Sequence, residues 1–431
     1  MSAATLPALA RLRERAAALD AADPLAGLRA RFSLPRDAAG RELNYLCGHS
    51  LGLAPRAARE RVLEELEDWE RLGVLGHEQA RRGWIGYADR LQAPLAALVG
   101  AAPAEVVAMN SLSVNLHLLL AAFYRPRGAR NRILIEAGAF PSDRHVVRSQ
   151  IAWHGLDPDE CLVEVAPAAG GDLVDEQALA ARIASEGGRL ALVLWPGVQY
   201  RTGQCFALAP IVAAAHAVGA RAGFDLAHSV GNVELSLHDS GADFAAWCSY
   251  KYLNAGPGAI GGAFVHERHA RDASLPRLSG WWSHEAATRF RMDPHMALAA
   301  GADGWQVSNP PILSAAPLLA SLAQFGEAGM PALRRKSLAL TGLLAEAVQA
   351  LCGDRVALIT PVEPQRRGCQ LSLRVAGGPA RARAAWESLL PRGVVADWRE
   401  PDTIRIAPVP LYNRFADALA AAEALAAALP S

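Results

Sequence analysis

Lysine is nearly missing from this chain of 431 residues: of 43 basic side chains only Lys251 and Lys336 are lysines, and the rest are arginines. An excess of either charge is missing too, since 43 acidic groups cancel the 43 basic ones. No net field therefore holds the chain to nucleic acid or to an anionic membrane, and neither is expected as a partner. Long apolar runs are absent: the richest, 116–124 and 190–195, stop at Arg or Pro well short of the roughly 18 to 20 residues that cross a bilayer. The six cysteines stand apart, with no Cys-x-x-Cys pair and no Cys/His cluster at metal-ligand spacing. That argues against a disulfide framework and against a zinc site, and it predicts reduced, mostly buried thiols. The N-terminal stretch alternates Arg and Glu with Ala and Leu and lacks the apolar block of a secretory signal, so a cytoplasmic location is expected.

The shortage of lysine makes the two that remain informative. Lys336 lies in Leu333-Arg-Arg-Lys-Ser337, which predicts a solvated helical charge cluster. Lys251 lies in Trp247-Cys-Ser-Tyr-Lys-Tyr-Leu-Asn-Ala-Gly-Pro-Gly258, an aromatic and glycine-rich setting. A primary amine can lose its proton and condense with an aldehyde, whereas a guanidinium with a pKa above about 12 cannot. Schiff-base chemistry at Lys251 is the expectation.

Helical periodicity covers 5–30 and 55–70. Short β-rich runs then alternate with Ala-rich helical stretches such as 210–218; the runs are 106–109, 132–135, 190–195, 221–225, 244–248 and 261–265. That alternation predicts an α/β fold with a mostly parallel sheet covered on both faces. After Pro310-Pro311 come a long helical segment to 350, a strand at 370–375, a helix at 379–389, a strand at 404–407 and a terminal helix, the pattern of a smaller α+β domain. The expected division is 1–60 for N-terminal segments completing the small domain and dimer contacts, 61–310 for a large domain and 311–431 for the small one.

Ligands of open α/β sheets bind outside the carboxyl ends of strands, so polar residues that close apolar runs are the candidates for a site. The run 106–109 opens into Asn110-Ser-Leu-Ser-Val-Asn115 and an apolar helix. This turn suits a phosphate, and equally Ser111 or Ser113 could simply cap the helix. Ala222-Gly-Phe-Asp225 ends in a carboxylate 26 residues before Lys251. In pyridoxal 5'-phosphate (PLP) enzymes of the aspartate-aminotransferase fold, such an Asp pairs with the pyridine nitrogen and keeps it protonated. Phe140-Pro-Ser-Asp143 offers a stacking ring and a second carboxylate, or only a turn with a core Phe. Tyr250 could donate to a phosphate or merely pack. Arg405 is a cation inside an apolar strand and needs a partner, either a substrate carboxylate or a structural acid.

Several segments together resemble the kynureninase family. They are Met109-Asn-Ser-Leu-Ser-Val-Asn-Leu-His117, Ala139-Phe-Pro-Ser-Asp143, Phe224-Asp-Leu-Ala-His-Ser-Val-Gly-Asn-Val-Glu-Leu-Ser-Leu-His238, Cys248-Ser-Tyr-Lys-Tyr-Leu-Asn-Ala-Gly-Pro-Gly258, Thr288-Arg-Phe290, Ser308-Asn-Pro-Pro-Ile312 and Ile404-Arg-Ile-Ala-Pro-Val-Pro-Leu-Tyr-Asn413. The likeness runs in order from about 42 to 415. It implies PLP-dependent fold type I and a homodimeric hydrolase of tryptophan catabolism. Such an enzyme cleaves L-kynurenine or its 3-hydroxy form to an anthranilate and L-alanine. Carried over, Lys251 is the Schiff-base lysine and α-proton base, Asp225 pairs with the ring nitrogen with His228 and Asp143 close by, and Phe140 stacks on the ring. The resemblance gives the phosphate to Leu112, Ser113, Tyr250, Trp281 and, from a neighbouring subunit, Asn309. It gives the substrate carboxylate to Arg405 and the aryl ketone to His77, Ser50 and Asn309, and Tyr250 is the candidate to protonate the alanine fragment.

The chain departs from the family pattern at His49, where Asn is usual, at Ser113 for Thr, at Pro196 and at Arg201. Two other readings compete. A cysteine desulfurase or selenocysteine lyase would need a nucleophile such as Cys352 or Cys369 on a mobile loop. A catalytically silent scaffold would not need Lys251, Tyr250 and Arg405.

Overall fold

The computed structural model describes residues 5–429 apart from 271 and 273, so the ends of the first and last expected domains lie outside the described residues. The larger sheet contains β1 (Val106–Ala108), β2 (Arg132–Glu136), β3 (Leu162–Val165), β4 (Leu190–Pro196), β5 (Arg221–Asp225), β6 (Phe244–Trp247) and β7 (Gly262–Val265). Their order is β1-β7-β6-β5-β4-β2-β3. Strands β2 to β6 run parallel, and β7 is antiparallel to both neighbours. The edge strand β3 escapes the periodicity of the sequence because it is four residues long and exposes Glu164.

Both faces of this sheet are covered, which is why its strands read as continuous apolar runs. The pleat sends alternate residues to opposite sides. Leu134, Val193, Trp195, Phe224 and Phe264 join one core with α3 (Asp89–Val99), α6 (Glu176–Glu186) and α7 (Leu208–Ala217). Ile133, Ile135, Leu192, Leu194 and Phe244 join the other core with α4 (Leu112–Phe123) and α5 (Pro141–Trp153).

The smaller sheet is antiparallel, in the order β10 (Asp397–Arg399), β11 (Thr403–Ile406), β9 (Leu371–Val375), β8 (Val356–Leu358). Its core takes Leu9 and Leu12 from α1 (Thr5–Ala21), Leu340 and Leu344 from α9 (Met330–Cys352), and Leu419 and Leu425 from α11 (Phe415–Ala428). Between β9 and β10, α10 (Pro379–Glu387) buries Ala382 and Ala385 against the same core.

Two expectations are corrected. The helical run after Pro311 is broken at Gly329, whose φ of +71° suits glycine, into α8 (Ile312–Ala328) and α9. Helix α8 buries Ala315, Leu318, Leu322 and Phe325 in the larger core against α2 (Arg56–Leu72) and α3, and Leu333 of α9 joins the same core. Lys336 is not solvated: it is 8% exposed and its Nζ lies 2.7 Å from Asp23. Its arginine neighbours hid a buried ion pair across a distance in sequence that no local pattern reveals.

Candidate active site

Three strands of the larger sheet end at one cavity of about 220 Å³. Strand β2 brings Glu136 to it, β4 brings Pro196 and β5 brings Asp225; the turn before α4 adds Leu112 and Ser113, and the start of α5 adds Phe140 and Asp143. His228, Tyr250 and Lys251 complete the wall. Eight of the residues read from the sequence thus meet in one place.

Local chemistry fixes each piece. Asn110 takes a positive φ of 43°, which Asn tolerates better than most residues, and its amide donates to Asn115 Oδ1 at 3.0 Å. The chain thereby turns sharply from β1 into α4. The N-cap residue Ser111 makes no side-chain hydrogen bond to the helix, so it does not cap α4 where Leu112 and Ser113 line the cavity. Asp225 Oδ1 accepts from the Ala227 N–H at 2.7 Å, which aims the carboxylate at the sheet edge. Lys251 follows β6 in a tight loop in which Asn254 N–H donates to the Lys251 carbonyl at 3.0 Å and Ala255 N–H to that of Ser249 at 3.0 Å. Its Nζ stands 5.7 Å from the centroid of the Phe140 ring and 5.9 Å from that of Tyr250.

The glycines of Gly48-His-Ser-Leu-Gly52 are required by close approach. A Cβ on Gly52 would stand 2.3 Å from the Lys251 carbonyl oxygen, and one on Gly48 would stand 2.3 Å from the Tyr412 hydroxyl. This segment wedges between the lysine loop and the small sheet, with Gly52 N–H donating to the Tyr250 carbonyl at 2.8 Å.

Electrostatics divide the acids. Burial pushes the Asp143 carboxyl well up, and the neighbouring charge of Asp225 and a hydrogen bond to it push the same way, against the pull of Lys251. Burial, reinforced by Lys251 and Arg405, pushes the His228 imidazole well down, and its buried Nδ1 has no hydrogen-bond partner among the described residues. Burial also pushes the Tyr250 phenol up.

Arg405 sits behind this wall. Strand register puts it opposite Asp397, whose Oδ2 accepts from Nε at 2.6 Å, while Nη1 donates to the Tyr200 carbonyl at 2.6 Å. A structural acid is thus one partner of this cation. Burial opposes the Asp397 charge, but the His49 ring and the Arg405 and Arg399 guanidiniums prevail and hold its carboxyl at about 2. His49, at the position where the family usually has Asn, is fully buried 3.8 Å from Asp397, and burial and Arg405 push its pKa down to about 3. Arg201, another departure, joins Arg374, Asp172 and Asp402 in an ion network between the sheets.

The cavity does not gather every expected residue. Ser50 lies in the N-terminal wedge beside His49, its N–H donating to the Cys47 carbonyl at 2.8 Å. His77, Trp281 and Asn309 line a second cavity of about 590 Å³ with Val74, Leu75 and Phe290. Sequence reading passed over Glu136 and Asp397; the signal for Glu136 was the one used for Asp225, an acid closing an apolar run. Among the described residues Glu105, His238 and His266 also cluster, but Glu105 accepts from the Ala102 and Glu267 N–H groups and His266 Nδ1 from that of Arg268, so the trio ties loops together. Cys352 and Cys369 are buried, and neither lines the main cavity.

The cavity suits PLP on its own evidence: a lysine, a strand-end aspartate, an aromatic ring, a helix start that its N-cap side chain leaves uncapped and a buried imidazole whose Nδ1 has no partner among the described residues converge on it. Solved structures agree on the fold. A cystine C–S lyase bound to cysteine persulfide matches with a TM-score of 0.76 at 21% identity, over 89% of this chain and 97% of its own. A cysteine desulfurase from Escherichia coli matches at 0.72 and 19%, over 94% and 98%. Fold and site together define a PLP-dependent enzyme of fold type I.

Residues 333–425 match the model of the kynureninase C-terminal domain. The kynureninases of Stenotrophomonas maltophilia and Xanthomonas campestris pv. campestris are 60% and 59% identical over 405 residues, 94% of this chain and 95% of theirs. The chain belongs to the kynureninase family.

Proposed function

We propose that this chain hydrolyses the β–γ carbon bond of L-kynurenine, or of 3-hydroxy-L-kynurenine, giving anthranilate or 3-hydroxyanthranilate and L-alanine. The observation that carries the reading is the meeting of Lys251, Asp225 and Phe140 at one cavity in a chain of this family. When bound, PLP supplies an electron sink that makes the amino acid's carbons acidic and its β–γ bond labile.

The side chains do the rest. Lys251 would hold the cofactor through its amine and would serve as the base that moves the α-proton. Asp225, flanked by Asp143 and His228, keeps the ring nitrogen protonated. Phe140 would offer its face to the ring, and Leu112, Ser113 and Tyr250 would hold the phosphate. Arg405 orients the substrate carboxylate. One water is consumed: its oxygen ends in the new aryl carboxylate, and the β-carbon leaves with the bonding pair and takes a proton, for which Tyr250 is the donor.

The enzyme acts as a cytoplasmic homodimer. Val74, Leu75, Trp281 and Phe290 are each at least half exposed beside His77 and Asn309, which supports a face closed by a second copy that brings Trp281 and Asn309 to the neighbouring site. Light scattering reads the oligomer directly; a monomer at micromolar concentration would end that reading. Borohydride reduction and peptide mapping test the chemistry: label on Lys251 is expected, and an unmodified Lys251 would refute the assignment.

A further inference from the structure

Glu136 is the one acid of the main cavity to which the reading above gives no task. It closes β2, lines the cavity and is 4% exposed. Burial raises its pKa to about 8, opposed only by a hydrogen bond with the Gln199 side chain. The sense of that bond is fixed by the loop. Gln199 Oε1 already accepts from Arg201 N–H at 2.6 Å, Thr202 N–H at 2.7 Å and Thr202 Oγ1 at 3.2 Å. The amide nitrogen is the end left for Glu136, so one carboxyl oxygen accepts and a protonated Glu136 keeps its O–H to give elsewhere.

Position says to what. Strand order places β2 two strands from β5, across β4. At roughly 4.8 Å per strand, Glu136 stands about 10 Å from Asp225 along the sheet edge. It faces a different part of a bound molecule from the group that meets the ring nitrogen. The other walls offer Asp143 and Asp225 as acids, Lys251 as the cation, His228, and the phenols of Tyr200 and Tyr250. A carboxylate at 136 would add a third acid and repel an oxygen that gains negative charge. A neutral carboxylic acid in the same place stabilises that oxygen, and more strongly in a buried site than in water.

We propose that Glu136, as a protonated carboxylic acid, donates a hydrogen bond to the ketone oxygen of the aryl-ketone substrate and polarises it for water addition. The proposal rests on the kynurenine-cleaving reading and adds a catalytic residue to it. Because the acid form acts, kcat/KM should fall about tenfold per pH unit above pH about 8. Glu136→Gln, whose amide N–H still donates, should lose that alkaline limb and keep activity within about tenfold of the parent. Glu136→Ala should lose roughly 100- to 1000-fold, the usual effect of removing one such donor. An unchanged alkaline limb in Glu136→Gln, or Glu136→Ala within threefold of the parent, overturns the proposal.

A measurement that needs no turnover separates this from the parent reading. Difference infrared spectra of the cofactor-loaded enzyme should show a protonated carboxyl band. It should shift when a non-hydrolysable aryl-ketone amino acid binds and be absent from Glu136→Gln. A band that shifts on cofactor loading and ignores the ketone assigns the bond to the cofactor and refutes the proposal. Absence of kynurenine turnover in the parent enzyme would instead sink the functional reading.

Discussion

Gly52→Ala tests whether the N-terminal wedge sets the lysine loop. The added Cβ would stand 2.3 Å from both the Lys251 carbonyl oxygen and Asn254 Oδ1, and ordinary contact begins at 3.4 Å, so wedge and loop must part by about 1 Å. The same movement stretches the 2.8 Å bond from Gly52 N–H to the Tyr250 carbonyl. Overpacking of this kind destabilises by about 1–3 kcal/mol, whereas a displacement of about 1 Å at a reacting group lowers the rate roughly 100-fold. Activity should therefore fall far more than stability. Anthranilate fluorescence gives kcat, the visible cofactor band gives loading, and thermal unfolding gives stability. Gly27→Ala is the control, because a Cβ there meets nothing within 4 Å. If Gly52→Ala keeps more than half of the parent kcat, the wedge does not position Lys251 and the argument is wrong.

Three further outcomes are expected. Asp243 is fully buried and accepts from His216 at 2.8 Å, His269 at 2.8 Å, Arg268 at 2.9 Å and Ala222 N–H at 2.7 Å. Burial opposes its charge, but these partners hold its carboxyl far below the ordinary range, so its stabilisation is present above the unfolded pKa of about 3.9 and fades as pH falls through and below that value. Asp243→Asn should cost about 3–5 kcal/mol in urea unfolding at pH 7, and the gap from the parent should narrow below pH about 4; a pH-independent gap would contradict the ionic account. Lys336→Ala leaves Asp23 buried without its cation and should destabilise by about 3 kcal/mol, whereas a solvated lysine would give less than about 0.5. Arg405→Ala should raise KM for kynurenine at least tenfold, with a smaller change for an analogue lacking the carboxylate; equal effects on both would remove Arg405 from substrate binding.

The parallel sheet was legible because a strand buried on both faces must be apolar throughout, and 190–195 and 244–248 show it. The short edge strand β3 carries too little pattern to read. Lys251 stood out through residue usage and Asp225 through its place at the end of an apolar run, since the need for a deprotonatable amine and a strand-end acid is written in residue type. Asp397 and Lys336 were hidden because each draws its meaning from a partner in a different segment. The same holds for Glu136, whose setting depends on how completely other segments bury it and on which end of Gln199 is left to face it. Composition and local pattern determined the fold class, the lysine that stands apart and the family motifs, because those are written in residue type and in short-range periodicity. Packing decided which acids are buried, which core each long helix joins and which arginine is already paired, because burial and distance exist only once remote segments meet.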